Sequence, residues 1–245
     1  MSVRSERRAD ALWIVFDRPQ AHNAMTFEMY ERLHELCEQA DADEAVRSVV
    51  LRGAGGKAFV AGTDIRQFAE FSSGEDGVVY EATIDRIVAR LETLAKPTVA
   101  LVDGYAMGSG LALAAACDLR ICTPAAQFGM PIARTVGNCL SMANYARLAD
   151  LLGPARVKRL IFTGARIGAE EALAIGFATE LSERAEERAG ELCAELAELS
   201  PVTLRVTKEA LRRLRADPGA DGDDLVRETY ASEGFRERVA RWGQG

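Results

Sequence analysis

The fold is decided by residues 97–118, which read PTVALVDGYAMGSGLALAAACD. The run from Thr98 to Val102 predicts a fully buried strand, because it is apolar, rich in β-branched residues and bounded by Pro97 and Asp103-Gly104. Gly108-Ser109-Gly110 comes next and leads into an alanine- and leucine-rich run of high helix propensity. Such a turn leaves N–H groups of the first helical turn without intrahelical partners. These donors can bind an anion or a developing oxyanion, or the small residues can simply permit close packing.

The composition limits the size of the core and the choice of partners. The chain has 245 residues, of which 48% are hydrophobic, so a substantial core is expected. The formal net charge of -7 argues against general nucleic-acid binding. No apolar run long enough to span a membrane occurs, and the charged N-terminal residues do not resemble a signal peptide. The five cysteines are scattered without metal-ligand spacing, so we expect no metal site and a reducing, cytoplasmic location.

Strands and helices alternate along the first three quarters of the chain. Strands are predicted over 10–16, 47–53, 98–102, 118–123 and 177–181. Helices are predicted over 26–42 with Thr26 as N-cap, over 76–95, from Ser141 onward, and over 154–164 and 168–176. After Glu183 the pattern is entirely helical, with breaks at 200–201 and 217–221. The chain is therefore predicted to form an α/β core followed by an all-helical region.

A second glycine-rich turn has the same character as the first. In KAFVAGTDIRQF (57–68) a strand leads into Ala61-Gly62-Thr63, whose N–H groups can point into a cleft. Two such turns favour a paired-donor oxyanion hole, with phosphate binding as the competing interpretation. The GAGGK run at 53–57 is not followed by Ser or Thr, so it is no P-loop. A serine hydrolase is disfavoured, because MGSGL does not match G-x-S-x-G and only two histidines are present.

The chain resembles the crotonase (enoyl-CoA hydratase/isomerase) superfamily in three motifs that occur in the family's order. They are KAFVAGTDI at 57–65, the stretch from KPTV to FGMP at 96–131, and TGARIGAEEALAIGFATEL at 163–181. The resemblance implies the ClpP/crotonase fold class, an α/β spiral of ββα units, over 1–182. It also implies a C-terminal helical trimerisation region over 183–245, in trimers or dimers of trimers. The implied substrate is an acyl-CoA thioester, with coenzyme A as part of the substrate and no separate cofactor.

The resemblance also assigns roles to particular residues. The main-chain N–H groups of Thr63 and Ser109 match the oxyanion-hole donors. Residues that would contact the coenzyme A portion are His22, Ala24, Ala61, Arg66 and Arg241, the last of them supplied by a neighbouring subunit. For each arginine the alternative is a solvated surface charge.

The sequence departs from the family where hydratases carry two catalytic glutamates. These positions are Ala112 and Ile132, and neither side chain can transfer a proton. The following loop, ARTVGNCLSMANY at 133–145, contains no carboxylate. Its candidates for proton transfer are Asn138, Cys139 and Ser141, although residues such as Cys139 and Ser141 are more often packed small side chains.

Two functions follow from the residues together with the resemblance. The first is an acyl-CoA lyase or isomerase that stabilises a thioester enolate by a route other than two-glutamate hydration, such as isomerisation, decarboxylation or hydrolysis. The second is a catalytically weak acyl-CoA-binding or scaffold protein of the same fold. A structure distinguishes them by showing whether the two donors converge and which polar side chain lies near them.

Overall fold

Two β-sheets form the centre of the molecule, and the computed structural model describes residues 2–242. The strands are β1 (Val3–Arg8), β2 (Ala11–Phe16), β3 (Ser48–Gly53), β4 (Ala58–Val60), β5 (Thr98–Val102), β6 (Tyr105–Met107), β7 (Leu119–Cys122), β8 (Gln127–Gly129), β9 (Arg166–Gly168) and β10 (Glu180–Leu181). The helices are α1 (Phe27–Ala42), α2 (Gly74–Glu92), α3 (Ser109–Ala116), α4 (Ile132–Thr135), α5 (Met142–Leu152), α6 (Pro154–Thr163), α7 (Ala169–Ala174), α8 (Ala185–Ala197), α9 (Pro201–Ala216), α10 (Asp223–Ala231) and α11 (Glu233–Trp242).

The larger sheet has the strand order β1-β2-β3-β5-β7-β10. The β1–β2 pair is antiparallel, and the other strands run parallel to their neighbours. Every residue of β5 is buried, as expected for a parallel sheet that is covered on both faces. The predicted strand over 177–181 is shorter than expected. The N–H groups of Phe177 and Ala178 both bond to the carbonyl of Ala172, so bonding to β7 begins only at Thr179 and the strand comprises Glu180–Leu181.

The smaller sheet has the order β4-β6-β8-β9 and was largely missed by the sequence analysis. Its strands have three residues each, which is too short to show a period of two. Strands β4 and β6 are parallel neighbours. The two glycine-rich turns follow the carboxyl ends of these strands and therefore lie at the same edge of the sheet.

Two helices start where the sequence predicts them, and a hydroxyl group caps each one. The Thr26 hydroxyl accepts from the N–H of Met29 at 3.3 Å, and the Ser141 hydroxyl accepts from the N–H of Asn144 at 3.2 Å. Helix α8 packs on β3, β5 and β7, and helices α9 to α11 follow it as the sequence predicted. In the described part of the chain, no helix is both long and apolar enough to cross a membrane.

Candidate active site

The two glycine-rich turns meet because no side chain separates them. The backbone of Gly62 has φ +108° and that of Gly108 has φ +54°, both in the region that favours glycine. A Cβ at Gly108 would lie 3.6 Å from the Cα of Gly62. At Gly110 a Cβ would lie only 2.0 Å from the carbonyl oxygen of Val60, so α3 begins directly against the end of β4. Small residues are required here for close approach of the backbone.

Both turns contribute a residue with an unpaired N–H group to the lining of one cavity. The N–H groups of Thr63 and Ser109 make no hydrogen bond within residues 2–242. Their neighbours are paired: the N–H of Asp64 bonds to Met25 at 2.8 Å and that of Gly108 to Gly129 at 2.9 Å. Thr63 and Ser109 line the same cavity of about 230 Å³. Ser109 is also the first residue of α3, where the helix dipole favours a negative charge.

A chain of three hydroxyl groups supports the first turn. The Thr63 Oγ1 lies 2.7 Å from the Tyr30 hydroxyl and 2.7 Å from the Tyr80 hydroxyl. Burial raises the pKa of Tyr30 far above its ordinary value and raises the pKa of Tyr80 to about 12, so both hydroxyls stay protonated near neutral pH. The Ser109 Oγ is buried near Tyr30 but has no hydrogen-bond partner in the described chain.

Asp64 fixes the turn from the other side. Its carboxylate pairs with Arg66 at 2.6 Å and with Arg18 at 2.8 Å. These two hydrogen-bonded arginines, Arg66 first, hold the pKa of Asp64 well below its usual range. Because Arg18 belongs to the 17–25 loop, the pair ties that loop to the turn. Asp64 therefore has a structural role.

A second cavity of about 760 Å³ adjoins the first. Residues that line both cavities are Phe68, Tyr80 and Glu81, together with Val136, Asn138 and Leu140. Aromatic rings bound it, with the ring centres of Phe68 and Tyr80 4.9 Å apart and those of Phe68 and Phe71 5.1 Å apart. The second cavity is therefore suited to an apolar group.

Comparison with known proteins identifies the family. The family model for enoyl-CoA hydratase/isomerase matches residues 6–232. The chain belongs to the enoyl-CoA hydratase/isomerase family. The short-chain-enoyl-CoA hydratase of Clostridium acetobutylicum is 32% identical over 238 residues, which cover 96% of this chain and 88% of that protein. The carnitinyl-CoA dehydratase of Escherichia coli O157:H7 is 32% identical over 230 residues, with coverage of 92% and 86%.

Solved structures agree with this assignment. An enoyl-CoA hydratase/carnithine racemase from Magnetospirillum magneticum matches with a TM-score of 0.91 and 25% identity, covering 100% of this chain and 93% of that one. The predicted crotonase fold is thereby confirmed. The chain is an enzyme of the enoyl-CoA hydratase/isomerase type.

In this enoyl-CoA hydratase/isomerase family member, the two residues that the resemblance matches to catalytic glutamates form an apolar wall. Ala112 and Ile132 both line the smaller cavity and are buried. Asn138 lines the same cavity, and its side-chain amide donates to the carbonyl of Cys139 at 3.2 Å. Cys139 is exposed and lines only the second cavity. Ser141 also lines the second cavity, and its hydroxyl is already engaged in capping α5.

The residues assigned to coenzyme A lie in two places. The carbonyl of His22 accepts from the N–H of Ala61 at 3.1 Å, and the carbonyl of Ala24 accepts from Arg18 at 2.9 Å. Arg66, whose side chain is 75% exposed, follows the Thr63 turn directly. These four residues therefore surround one turn. Arg241 is exposed on α11, and no hydrogen bond or ion pair in residues 2–242 links it to this turn.

The smaller cavity also contains a carboxylate that the sequence analysis missed. Glu81 lies on α2, and its Oε2 accepts from the N–H of Ser141 at 2.9 Å. Burial raises the pKa of Glu81, the bond from Ser141 partly offsets this, and the charge of Asp85 raises it further. One sequence signal could have identified Glu81. It is a carboxylate three residues before Ile84, beside the apolar stripe of the predicted helix.

Proposed function

We propose that the protein is an acyl-CoA enzyme that stabilises a thioester enolate between the N–H groups of Thr63 and Ser109. The route differs from two-glutamate hydration, because Ala112 and Ile132 occupy the family's glutamate positions. The observation that carries the proposal is the cavity itself. It brings the two unpaired donors together with that apolar wall.

The physical basis is the charge that appears on the thioester oxygen. Removal of an α-proton, isomerisation, decarboxylation and hydrolysis all place negative charge on this oxygen. Each preorganised donor stabilises such charge by about 3–4 kcal/mol, as judged from donor removal. The hydroxyl chain at Thr63 and the helix start at Ser109 fix both donors before the substrate arrives.

The two ends of the substrate fit different parts of the site. The coenzyme A portion lies along the 22–25 segment and Ala61, with Arg66 facing its phosphates. The acyl group extends from the donors past α2 into the second, aromatic-lined cavity. The size of that cavity favours acyl groups longer than crotonyl.

The functional unit is a trimer or a dimer of trimers. Apolar side chains stay exposed on the C-terminal helices, including Leu211 at 64%, Val226 at 56% and Tyr230 at 64%. A second copy of the chain covers this surface and brings its own Arg241 to the site. The cytoplasmic location stays a prediction.

A catalytically weak acyl-CoA-binding protein is the second candidate. It is favoured by the loss of both glutamates, whereas the preserved donors favour the enzyme. Butyryl-CoA distinguishes the two, because it can enolise but has no double bond to hydrate. An enzyme exchanges its α-protons with solvent, and a binding protein does not.

The test combines binding, exchange and hydration. Calorimetry should show binding of butyryl-CoA, and proton NMR in D₂O should show loss of its α-proton signal. Hydration of crotonyl-CoA should be slow beside that of a two-glutamate hydratase assayed in parallel. Fast hydration would contradict the proposed route. Binding without exchange would favour the binding protein, and absence of binding would reject both functions.

A further inference from the structure

We propose that Glu81 is the acid/base that removes and returns the α-proton of the bound acyl-CoA. The proposal rests on the proposed function and adds the proton-transfer group that the family positions do not supply. Glu81 comes from α2, which precedes both of those positions in the chain. It is the one carboxylate among the described residues that line the cavity of Thr63 and Ser109.

The geometry leaves one oxygen of Glu81 free for substrate. Oε2 accepts from the N–H of Ser141, and Oε1 has no hydrogen bond in the described chain. Glu81 lines both cavities, the one with the N–H donors and the aromatic one. An acyl group that runs from the donors into the aromatic cavity therefore passes this carboxyl group.

The surroundings of Glu81 suit a base that must also hold a proton. The other titratable groups that line the two cavities are Tyr80, Asp85 and Cys139, and no lysine, arginine or histidine lines them within residues 2–242. Asp85 accepts from the Ser141 hydroxyl at 2.5 Å and from the Asn144 amide at 3.1 Å, so its charge is held in place beside Glu81. Burial and this like charge both favour the protonated carboxyl group.

The proton transfer needs no further reactant. The Glu81 carboxylate takes the α-proton, the C–H electron pair becomes the enolate double bond, and the carbonyl π pair moves to the oxygen held by the two N–H groups. The resulting acid returns the proton to the α-carbon, which appears as exchange in D₂O. In a β,γ-unsaturated ester it delivers the proton to the γ-carbon instead, and the double bond moves by one position.

Glu81 could instead serve only to hold the 136–141 loop against α2 through Ser141. Glu81→Gln separates the two roles, because the amide oxygen still accepts from Ser141 but cannot take a proton. Glu81→Asp has the opposite effect, since it keeps a carboxyl group and shortens the reach to Ser141. Glu75→Gln, an exposed neutralisation on the same helix, is the matched control.

The experiment follows α-proton exchange of butyryl-CoA by NMR, with calorimetric affinity and thermal stability measured on each variant. We expect Glu81→Gln to lose at least about 100-fold in exchange rate with little change in affinity, and Glu75→Gln to stay within about twofold. The wild-type exchange rate should fall as the pH drops through the raised pKa of Glu81. The exchange rate of Glu81→Gln should not show this decrease at low pH. Glu81→Asp should retain measurable exchange, and its exchange rate should still decrease at low pH.

The proposal is overturned if Glu81→Gln exchanges within about threefold of the wild-type rate, or if only Glu81→Asp is inactive. A wild-type protein that binds butyryl-CoA without exchange overturns both the role of Glu81 and the enzyme function. If Glu81→Gln still exchanges the α-protons, the proposed role of Glu81 is rejected, but the proposed function is not. The two failures are therefore distinguishable.

Discussion

At the residue scale, the candidate site depends on backbone atoms more than on side chains. Thr63 and Ser109 would act through their N–H groups, and only Thr63 also has a bonded side chain that holds its turn in place. Ser109 offers a direct test, because it is the first residue of α3. Proline is well tolerated at that helix position, and it removes the N–H.

We predict that Ser109→Pro lowers the rate of α-proton exchange by about 100- to 1,000-fold, the effect of removing one oxyanion donor. Ser109→Ala keeps the donor and should stay within about threefold of the wild-type rate. Exchange is measured by NMR, and circular dichroism checks that both variants are folded. Equal rates in the proline and alanine variants would argue against an oxyanion role for this N–H.

The sequence identifies one half of the candidate site and misses the other. Two glycine-rich turns are predicted locally, the family resemblance selects Thr63 and Ser109 within them, and both residues line one cavity. Glu81 could not be identified in the same way, because its approach to the turns depends on how α2 docks. Asn138, Cys139 and Ser141 were chosen from the 133–145 loop alone, and the carboxylate comes from the helix that this loop contacts.

At the element scale, the N-terminal half of α2 lines the two cavities, and its C-terminal half packs on the core. Ile84, Ile87, Val88 and Leu91 form the buried face. The helical period predicts this face correctly, but it does not say what covers the N-terminal half of the helix. Gly77 lies on the cavity side, and a Cβ there meets no atom within 4 Å.

We predict that Gly77→Leu weakens binding of octanoyl-CoA at least about tenfold, because the new side chain fills the second cavity. Binding of butyryl-CoA should change little, and the helix should gain about 0.5–1 kcal/mol from loss of the glycine. Gly77→Ala provides the same gain without filling the cavity. Calorimetry with both esters checks this, and unchanged octanoyl-CoA affinity in Gly77→Leu would place the acyl group elsewhere.

An ion-pair network joins α2, α5 and α9 at Glu92. Its carboxylate lies 2.8 Å from Arg147 and 2.6 Å from Arg215. Burial alone would raise the pKa of Glu92, but the two arginines lower it to about 2. A pKa below the ordinary value means that the network stabilises the fold fully above about pH 4.5 and loses this effect as the pH falls towards 2.

We predict that Glu92→Gln lowers the free energy of unfolding by about 3 kcal/mol at pH 7, and that the difference from wild type shrinks by more than half at pH 3. Urea unfolding at both pH values measures it. Asp223→Asn, which removes an exposed pair with Arg227, should cost less than about 1 kcal/mol. A Glu92→Gln deficit that does not depend on pH would show that the effect is packing rather than charge.

At the scale of the whole molecule, the alternation of apolar runs predicts the large sheet and the helical C-terminal region. It does not predict β6, β8 and β9, whose three-residue strands show no period and are paired only through tertiary contacts. β1 was missed because its pattern is mostly exposed and charged, as edge strands often are. Edge strands and short strands are thus the elements of this fold that the sequence pattern does not predict.

We predict that the protein elutes at three or six times the chain mass of 26.5 kDa in light-scattering chromatography. The double variant Leu211→Glu/Leu214→Glu places charges on an exposed apolar face of α9 and should shift the mass towards the monomer. Val79→Glu on α2, equally exposed at 60%, should not. A wild-type monomer would contradict the proposed assembly.

The hydroxyl chain at Thr63 has a mechanical consequence. The Thr63 hydroxyl is hydrogen-bonded to two tyrosines that belong to different helices, Tyr30 on α1 and Tyr80 on α2. Glu81 is the next residue along α2, so a displacement of this helix carries the anchor of the turn and the carboxyl group in the same direction. Motion of the helix therefore changes the alignment of the Thr63 turn with the Glu81 carboxyl group less than it changes the position of either group.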